Sequence, residues 1–124
     1  MPPKVLKPIL FKIESVEMFL ETIDPANCGK TINVIDFHLS WCGRCDVIEQ
    51  NYRTLGAKYD SKVKFWSVAD EFIPEDVKAN LQYGALTPKP RFAVYCDGEI
   101  KSEINGADFT KLETTIQKFV LQDE

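Results

Sequence analysis

Thr31-Ile32-Asn33-Val34-Ile35-Asp36-Phe37-His38-Leu39-Ser40-Trp41-Cys42-Gly43-Arg44-Cys45 decides the fold. Thr31 to Leu39 is a nearly continuous apolar run with β-branched residues, the pattern of a strand buried on both faces. Beyond it, Ile48, Tyr52, Leu55 and Tyr59 recur at offsets of 0, 4, 7 and 11, which is the inward face of a helix. Cys42 and Cys45 thus stand three residues apart at a strand-to-helix junction, close enough to close a small disulfide ring. Cys42 also faces the positive end of the helix dipole and its free N–H groups, which favour a thiolate. The spacing predicts dithiol–disulfide chemistry.

On the N-terminal side, Ile9 to Ile13 reads as a short strand. Ser15 then caps a helix with Val16, Phe19, Leu20 and Ile23 inward, stopped by the polar stretch from Asp24 to Gly29. On the C-terminal side, Val63 to Val68 is the next strand. Pro74 opens a third helix, favoured by Glu75 and Asp76 in its first turn and ended by Gly84. Phe92 to Cys96 and Glu99 to Ile104 form a hairpin around Asp97-Gly98, a strong two-residue turn signal. A last helix follows Asp108, with Phe109, Leu112, Ile116, Phe119 and Val120 inward. The order β-α-β-α-β-α-β-β-α predicts an α/β fold: a mixed sheet of about five strands with about four helices on its two faces.

The 124 residues suit one domain. A net charge of −4, with no Lys/Arg block longer than two residues, argues against nucleic acid or an anionic membrane as main partner. No run approaches a membrane span. Met1 to Pro8 has prolines where a signal peptide needs an apolar helix, so it reads as an N-terminal arm ahead of a domain over residues 9–124. A reducing compartment follows, in which four cysteines are not a disulfide framework. Cys28, Cys96 and His38 are too scattered to complete a zinc site with Cys42 and Cys45, so no metal is expected. Cys96 reads as an inert buried thiol, Cys28 as a loop thiol and His38 as a structural histidine.

Strand, Trp-Cys-Gly-x-Cys, helix, a later proline and a hairpin: in these features the chain resembles the thioredoxin family over residues 9 to 121. Asp36, six residues before Cys42, matches the family's buried carboxylate. Pro90, eight residues before Gly98, matches its cis-proline, and Gly106-Ala107 its glycine beside the substrate groove. There are departures. Arg44 replaces the proline between the cysteines, Gln50 a helix-kinking proline and Asp46 a lysine. Trp66 stands where a lysine partners the buried carboxylate, and His38 replaces an aromatic. Thr87 to Pro90 is one residue longer than usual. With these departures the chain is similar to the thioredoxin-like light chains of axonemal outer-arm dynein. It is similar too to the thioredoxin module of ciliary thioredoxin–nucleoside diphosphate kinase proteins.

The resemblance implies that Cys42 is the nucleophile, Cys45 the resolving thiol and Asp36 the acid–base group. Trp41, Gly43, Arg44, Lys89, Pro90 (cis) and Gly106 would bind the target, and no cofactor would be bound. Arg44 near Cys42 should favour the thiolate and so the reduced form, giving a more oxidising pair than is usual in the family. Two roles are implied. One is a light-chain subunit of ciliary or flagellar outer-arm dynein, contacting its heavy or intermediate chains. The other is a free cytosolic thioredoxin, acting on protein disulfides and recycled by thioredoxin reductase.

Overall fold

Side-chain alternation along the strands divides the apolar residues into two cores, one on each face of a single sheet. The computed structural model describes residues 10–28, 31–39, 45–59, 63–87, 89–106 and 108–122. The N-terminal arm, Trp41, Cys42, Gly43, Arg44, Pro88 and Ala107 lie outside the described residues.

The elements are β1 (Leu10–Ile13), α1 (Val16–Ile23), α2 (Pro25–Cys28), β2 (Ile32–His38), α3 (Cys45–Tyr59), β3 (Val63–Ala69), a single 3-10 turn (Asp70–Phe72), α4 (Glu75–Ala79), β4 (Arg91–Cys96), β5 (Glu99–Asn105) and α5 (Phe109–Gln122). The sheet order is β1-β3-β2-β4-β5, with β1, β3 and β2 parallel and β4 and β5 antiparallel to their neighbours. This is the mixed five-stranded α/β sheet expected, with a one-turn α2 added to the four helices. No helix among the described residues is long and apolar enough to cross a membrane.

One core joins Val34, Val63, Phe65, Phe92, Val94 and Ile104 of the sheet to Tyr52 and Leu55 of α3 and Leu112 and Ile116 of α5. The other joins Ile13, Ile35, Phe37, Val68, Ala93 and Tyr95 to Phe19 of α1, with Ile73 and Leu81. Helices α3 and α5 are also tied through Glu113. Its Oε2 accepts from Lys58 Nζ at 2.7 Å and from Tyr59 Oη at 2.8 Å.

Local signals set most boundaries. Ser15 is extended and its Oγ accepts the Met18 N–H at 3.0 Å, a helix N-cap. The inward face of α1 is rotated from the one expected, keeping Phe19 and Ile23 but not Val16 and Leu20. Phe19 and Thr22 are buried with Met18 and Ile23 beside them, whereas Val16 and Leu20 are exposed. Thr22 can occupy the interior because its hydroxyl donates to Met18 O at 2.8 Å. Helix α4 stops at Ala79 rather than running to Gly84. The Asn80 side chain donates to Asp76 O at 2.7 Å and its N–H to Val77 O at 3.2 Å, which together close the last turn.

The hairpin turn is as expected. Asp97 and Gly98 have φ of 55° and 80°, the left-handed pair of a type I′ turn. Gly98 also lies against α2: a Cβ there would sit 2.8 Å from Pro25 Cγ and 3.2 Å from Ile23 O. Gly98→Ala is therefore expected to cost about 1–3 kcal/mol. A urea unfolding midpoint equal to wild type would show that the tip is not seated on α2.

Candidate functional site

The strand register brings the separate pieces of the site to one end of the sheet. β2 runs toward His38, and α3 opens seven residues later at Cys45. β4 is antiparallel to β2 and begins there, with Phe37 paired to Arg91. β5 returns to the same end, with Arg91 paired to Asn105. Pro90 and Gly106 are thus neighbours, joined by Gly106 N–H to Pro90 O at 2.9 Å. Gly106 has φ of +98°, a backbone that favours glycine, and a Cβ there would meet nothing within 4 Å. A step in the surface beside Pro90 is left open.

Asp36 is 8% exposed, on β2 two residues from its end. It alternates with Val34 toward the α3 face, beneath the helix that Cys45 begins. Tyr52, two helical turns or about 10 Å beyond Cys45, is fully buried on the same face. Its hydroxyl lies 2.9 Å from Val34 O and 2.8 Å from Trp66 O, over the β2–β3 seam at the Ile35–Trp66 pairing. Burial, reinforced by the charge of Asp36, holds its pKa well above the ordinary tyrosine value. Tyr52 thereby fastens α3 to the sheet one residue below Asp36. Its inward face was legible in the sequence; the role of its hydroxyl was not.

Two expectations are corrected. The Lys89–Pro90 bond is trans, as are all peptide bonds among the described residues. Trans is favoured before proline by about 0.5–1 kcal/mol. On the approach to it, Lys89 N–H donates to Thr87 Oγ1 at 3.3 Å. Lys89 is exposed and Pro90 buried. Secondly, Trp66 is not beside Asp36. Asp36 pairs with Ser67, while Trp66 pairs with Ile35 and points to the opposite face. There its ring meets Phe11 at 4.8 Å and its Nε1 donates to Asn33 Oδ1 at 2.9 Å.

His38 is a local structural contact, with Nδ1 2.9 Å from Leu39 O. Cys96 is half-buried at the end of β4, away from the site. The described residues include no group of three or more His, Cys, Asp or Glu arranged for a metal ion.

Sequence reasoning missed a buried charge pair. Arg91, immediately after Pro90, is 1% exposed, and Glu103 on β5 is 5% exposed. Arg91 Nη1 lies 3.7 Å from Glu103 Oε1 and donates to Gly84 O at 3.0 Å; Nη2 donates to Ala85 O at 3.4 Å. Glu103 Oε2 accepts the Gln82 N–H at 2.7 Å. The one available signal was a charged residue wedged between Pro90 and the apolar run from Phe92.

The family model described as thioredoxin matches residues 12–118. Thioredoxin of Rattus norvegicus is 35% identical over 107 residues, covering 86% of this chain and 95% of its own. Thioredoxin of Callithrix jacchus is 32% identical over 109 residues, covering 88% and 97%. Among solved structures, Plasmodium falciparum thioredoxin superposes with a TM-score of 0.66 at 27% identity, covering 87% of this chain and 97% of that one. Chlamydomonas reinhardtii thioredoxin f2 reaches 0.69 at 22% identity, covering 89% and 95%, and supports the fold alone.

Proposed function

Since the chain belongs to the thioredoxin family, we propose that it is a protein-disulfide oxidoreductase with Cys42 as nucleophile, Cys45 as resolving thiol and Asp36 as proton acceptor. The observation that supports this best is the register that gathers Asp36, the start of α3 at Cys45, Pro90 and Gly106 at one sheet end.

The chemistry balances without a bound cofactor. Cys42 thiolate attacks one sulfur of a target disulfide. The target S–S bond breaks, a mixed disulfide forms and one target thiolate leaves. Cys45 gives its proton to Asp36 through water and attacks Cys42 Sγ, forming the Cys42–Cys45 disulfide and releasing the second target thiolate. Two electrons have passed to the target. An external dithiol donor of the thioredoxin reductase kind restores the pair. Trp41, Gly43, Arg44, Lys89, Pro90 and Gly106 line the groove in this reading, with Arg44 favouring the Cys42 thiolate.

A second role is compatible with the same fold: a light-chain subunit of a ciliary outer-arm dynein, held by its heavy or intermediate chains. It is supported by Arg44, Asp46 and Gln50 around the dithiol, where family members carry other residues. The first role places the protein in the cytoplasm, the second in the axoneme.

Cys45→Ser as tagged bait in a lysate of the source cell separates them. Without the resolving thiol, mixed disulfides should persist at Cys42. Many partners released only by dithiothreitol are expected of an oxidoreductase. A few stoichiometric partners that stay after reduction, heavy chains among them, would identify the subunit and sink turnover as the main role.

A further inference from the structure

We infer that Arg91 and Glu103 are positioning residues of the target groove, holding the Gln82–Ala85 loop from inside the fold and so setting where Lys89 and Pro90 stand. This deepens the oxidoreductase reading above and rests on it for its meaning.

The pair grips an exposed loop at consecutive points. Glu103 Oε2 takes the Gln82 N–H at 2.7 Å. The Arg91 guanidinium lies 5.8 Å over the Tyr83 ring and holds Gly84 O at 3.0 Å and Ala85 O at 3.4 Å. A planar fork with fixed donors suits two adjacent carbonyls in a way that a lysine ammonium does not. Arg91 is covalently next to Pro90, so the residue that clamps the loop also ends it. The far side of Pro90 is held by Gly106 N–H at 2.9 Å. Lys89 and Pro90 therefore hang between two anchors: the clamped loop before them and β5 beside them.

Two neutral hydrogen bonds could have tethered a surface loop. A buried ion pair is a poor stabiliser compared with apolar side chains of similar volume, and its best-attested use is to specify geometry. Its place directly behind the groove gives that geometry a consequence: a shift of the loop is passed on to the groove surface at Lys89 and Pro90. A protein target, which must lie along that surface, would sense the shift. A small disulfide, which needs only the thiols, would not.

Arg91→Lys keeps the charge and loses the fork; Glu103→Gln keeps an acceptor for Gln82 and loses the charge. With dithiothreitol as reductant, both variants are assayed on disulfide-bonded insulin and on a small aromatic disulfide, well below their melting temperatures. The expected result is a KM for insulin raised about 5–10-fold, the equivalent of one or two ordinary hydrogen bonds, with kcat and small-disulfide rates within about twofold. An unchanged KM, or parallel loss on both substrates, overturns the proposal. If the wild-type protein reduces neither disulfide, the oxidoreductase reading fails separately. The anchoring is then read by amide exchange at Gln82 to Ala85: acceleration of about tenfold in the variants is expected, and unchanged exchange overturns it.

Discussion

Replacing Glu103 alone with leucine is expected to destabilise the protein by about 3–5 kcal/mol, the cost of leaving a buried charge without its counter-ion. Arg91 is 1% exposed and cannot swing its guanidinium into water without vacating the interior. Its contacts to Gly84 O and Ala85 O remain, but carbonyl dipoles do not neutralise a full charge. The Gln82 N–H loses its acceptor in the same step. Arg91→Met with Glu103→Leu should recover most of the loss, because apolar side chains of similar volume replace a buried pair at little or no cost. Urea unfolding of the two single variants and the double variant measures the coupling directly. A Glu103→Leu loss below about 1 kcal/mol would mean that the 3.7 Å separation of the charges carries no useful attraction. The double variant should fold and still bind protein disulfides poorly, since the loop would have lost its clamp.

Why the pair escaped sequence reading is instructive. Along β5, strict alternation puts Glu103 on the same face as Glu99 and Lys101, with Ile100, Ser102 and Ile104 opposite. A β-bulge breaks that parity. Tyr95 pairs with Ile100 while Val94 pairs with Ser102, so Lys101 is the extra residue. Beyond it, Glu103 pairs with Ala93 and faces the α1 side with Arg91, while Ile104 pairs with Phe92 and enters the other core. A one-residue slip reverses every side chain after it, and nothing local in Glu99 to Asn105 announces this one. Trp66 shows the same limit. Its place in the order of residues suggests a neighbour of Asp36, but one step along β3 sends it to the opposite face.

What was legible depended on short-range physics. The Ser15 cap, the Asp97-Gly98 turn and the apolar run of β2 act within a few residues of themselves, and each is where the sequence puts it. So is the apolar stripe of α5, whose Leu112 and Ile116 are fully buried. Helix α1 was legible in extent but not in rotation, since a threonine that satisfies its own hydroxyl can displace a leucine from the core. The gathering of Asp36, Pro90 and Gly106 was expected from the resemblance; the backbone pairing accounts for it physically.

Stability is expected to fall as pH rises above about 10, because burial of two tyrosines disfavours their ionisation in the folded state. Burial holds the Tyr52 hydroxyl well above its ordinary pKa, with the charge of Asp36 adding to it. Burial does the same for Tyr95, helped by Glu103 and Asp76. In the unfolded chain both titrate near the ordinary value of about 10. Above that pH the unfolded state has released protons that the folded state retains, so ionisation favours unfolding. Each group contributes about 1.4 kcal/mol per pH unit until its own folded pKa is passed. Below pH 10 neither state ionises and the contribution is intact. The exposed pairs Lys58–Glu113 and Lys101–Glu99 lose their cations as pH rises and act in the same direction, but weakly, being in water. Ionisation of Tyr52 and Tyr95 should therefore accompany unfolding rather than precede it. Urea unfolding across pH 8–12, with tyrosinate absorbance followed in parallel in a variant whose exposed Tyr83 and half-buried Tyr59 are replaced by Phe, tests this. Tyr52→Phe should remove part of the pH dependence while lowering stability at neutral pH through the lost contacts to Val34 O and Trp66 O. Tyrosinate appearing in the folded protein before unfolding would show that these rings are reached by water and that Tyr52 does not seal α3 onto the sheet beneath Asp36.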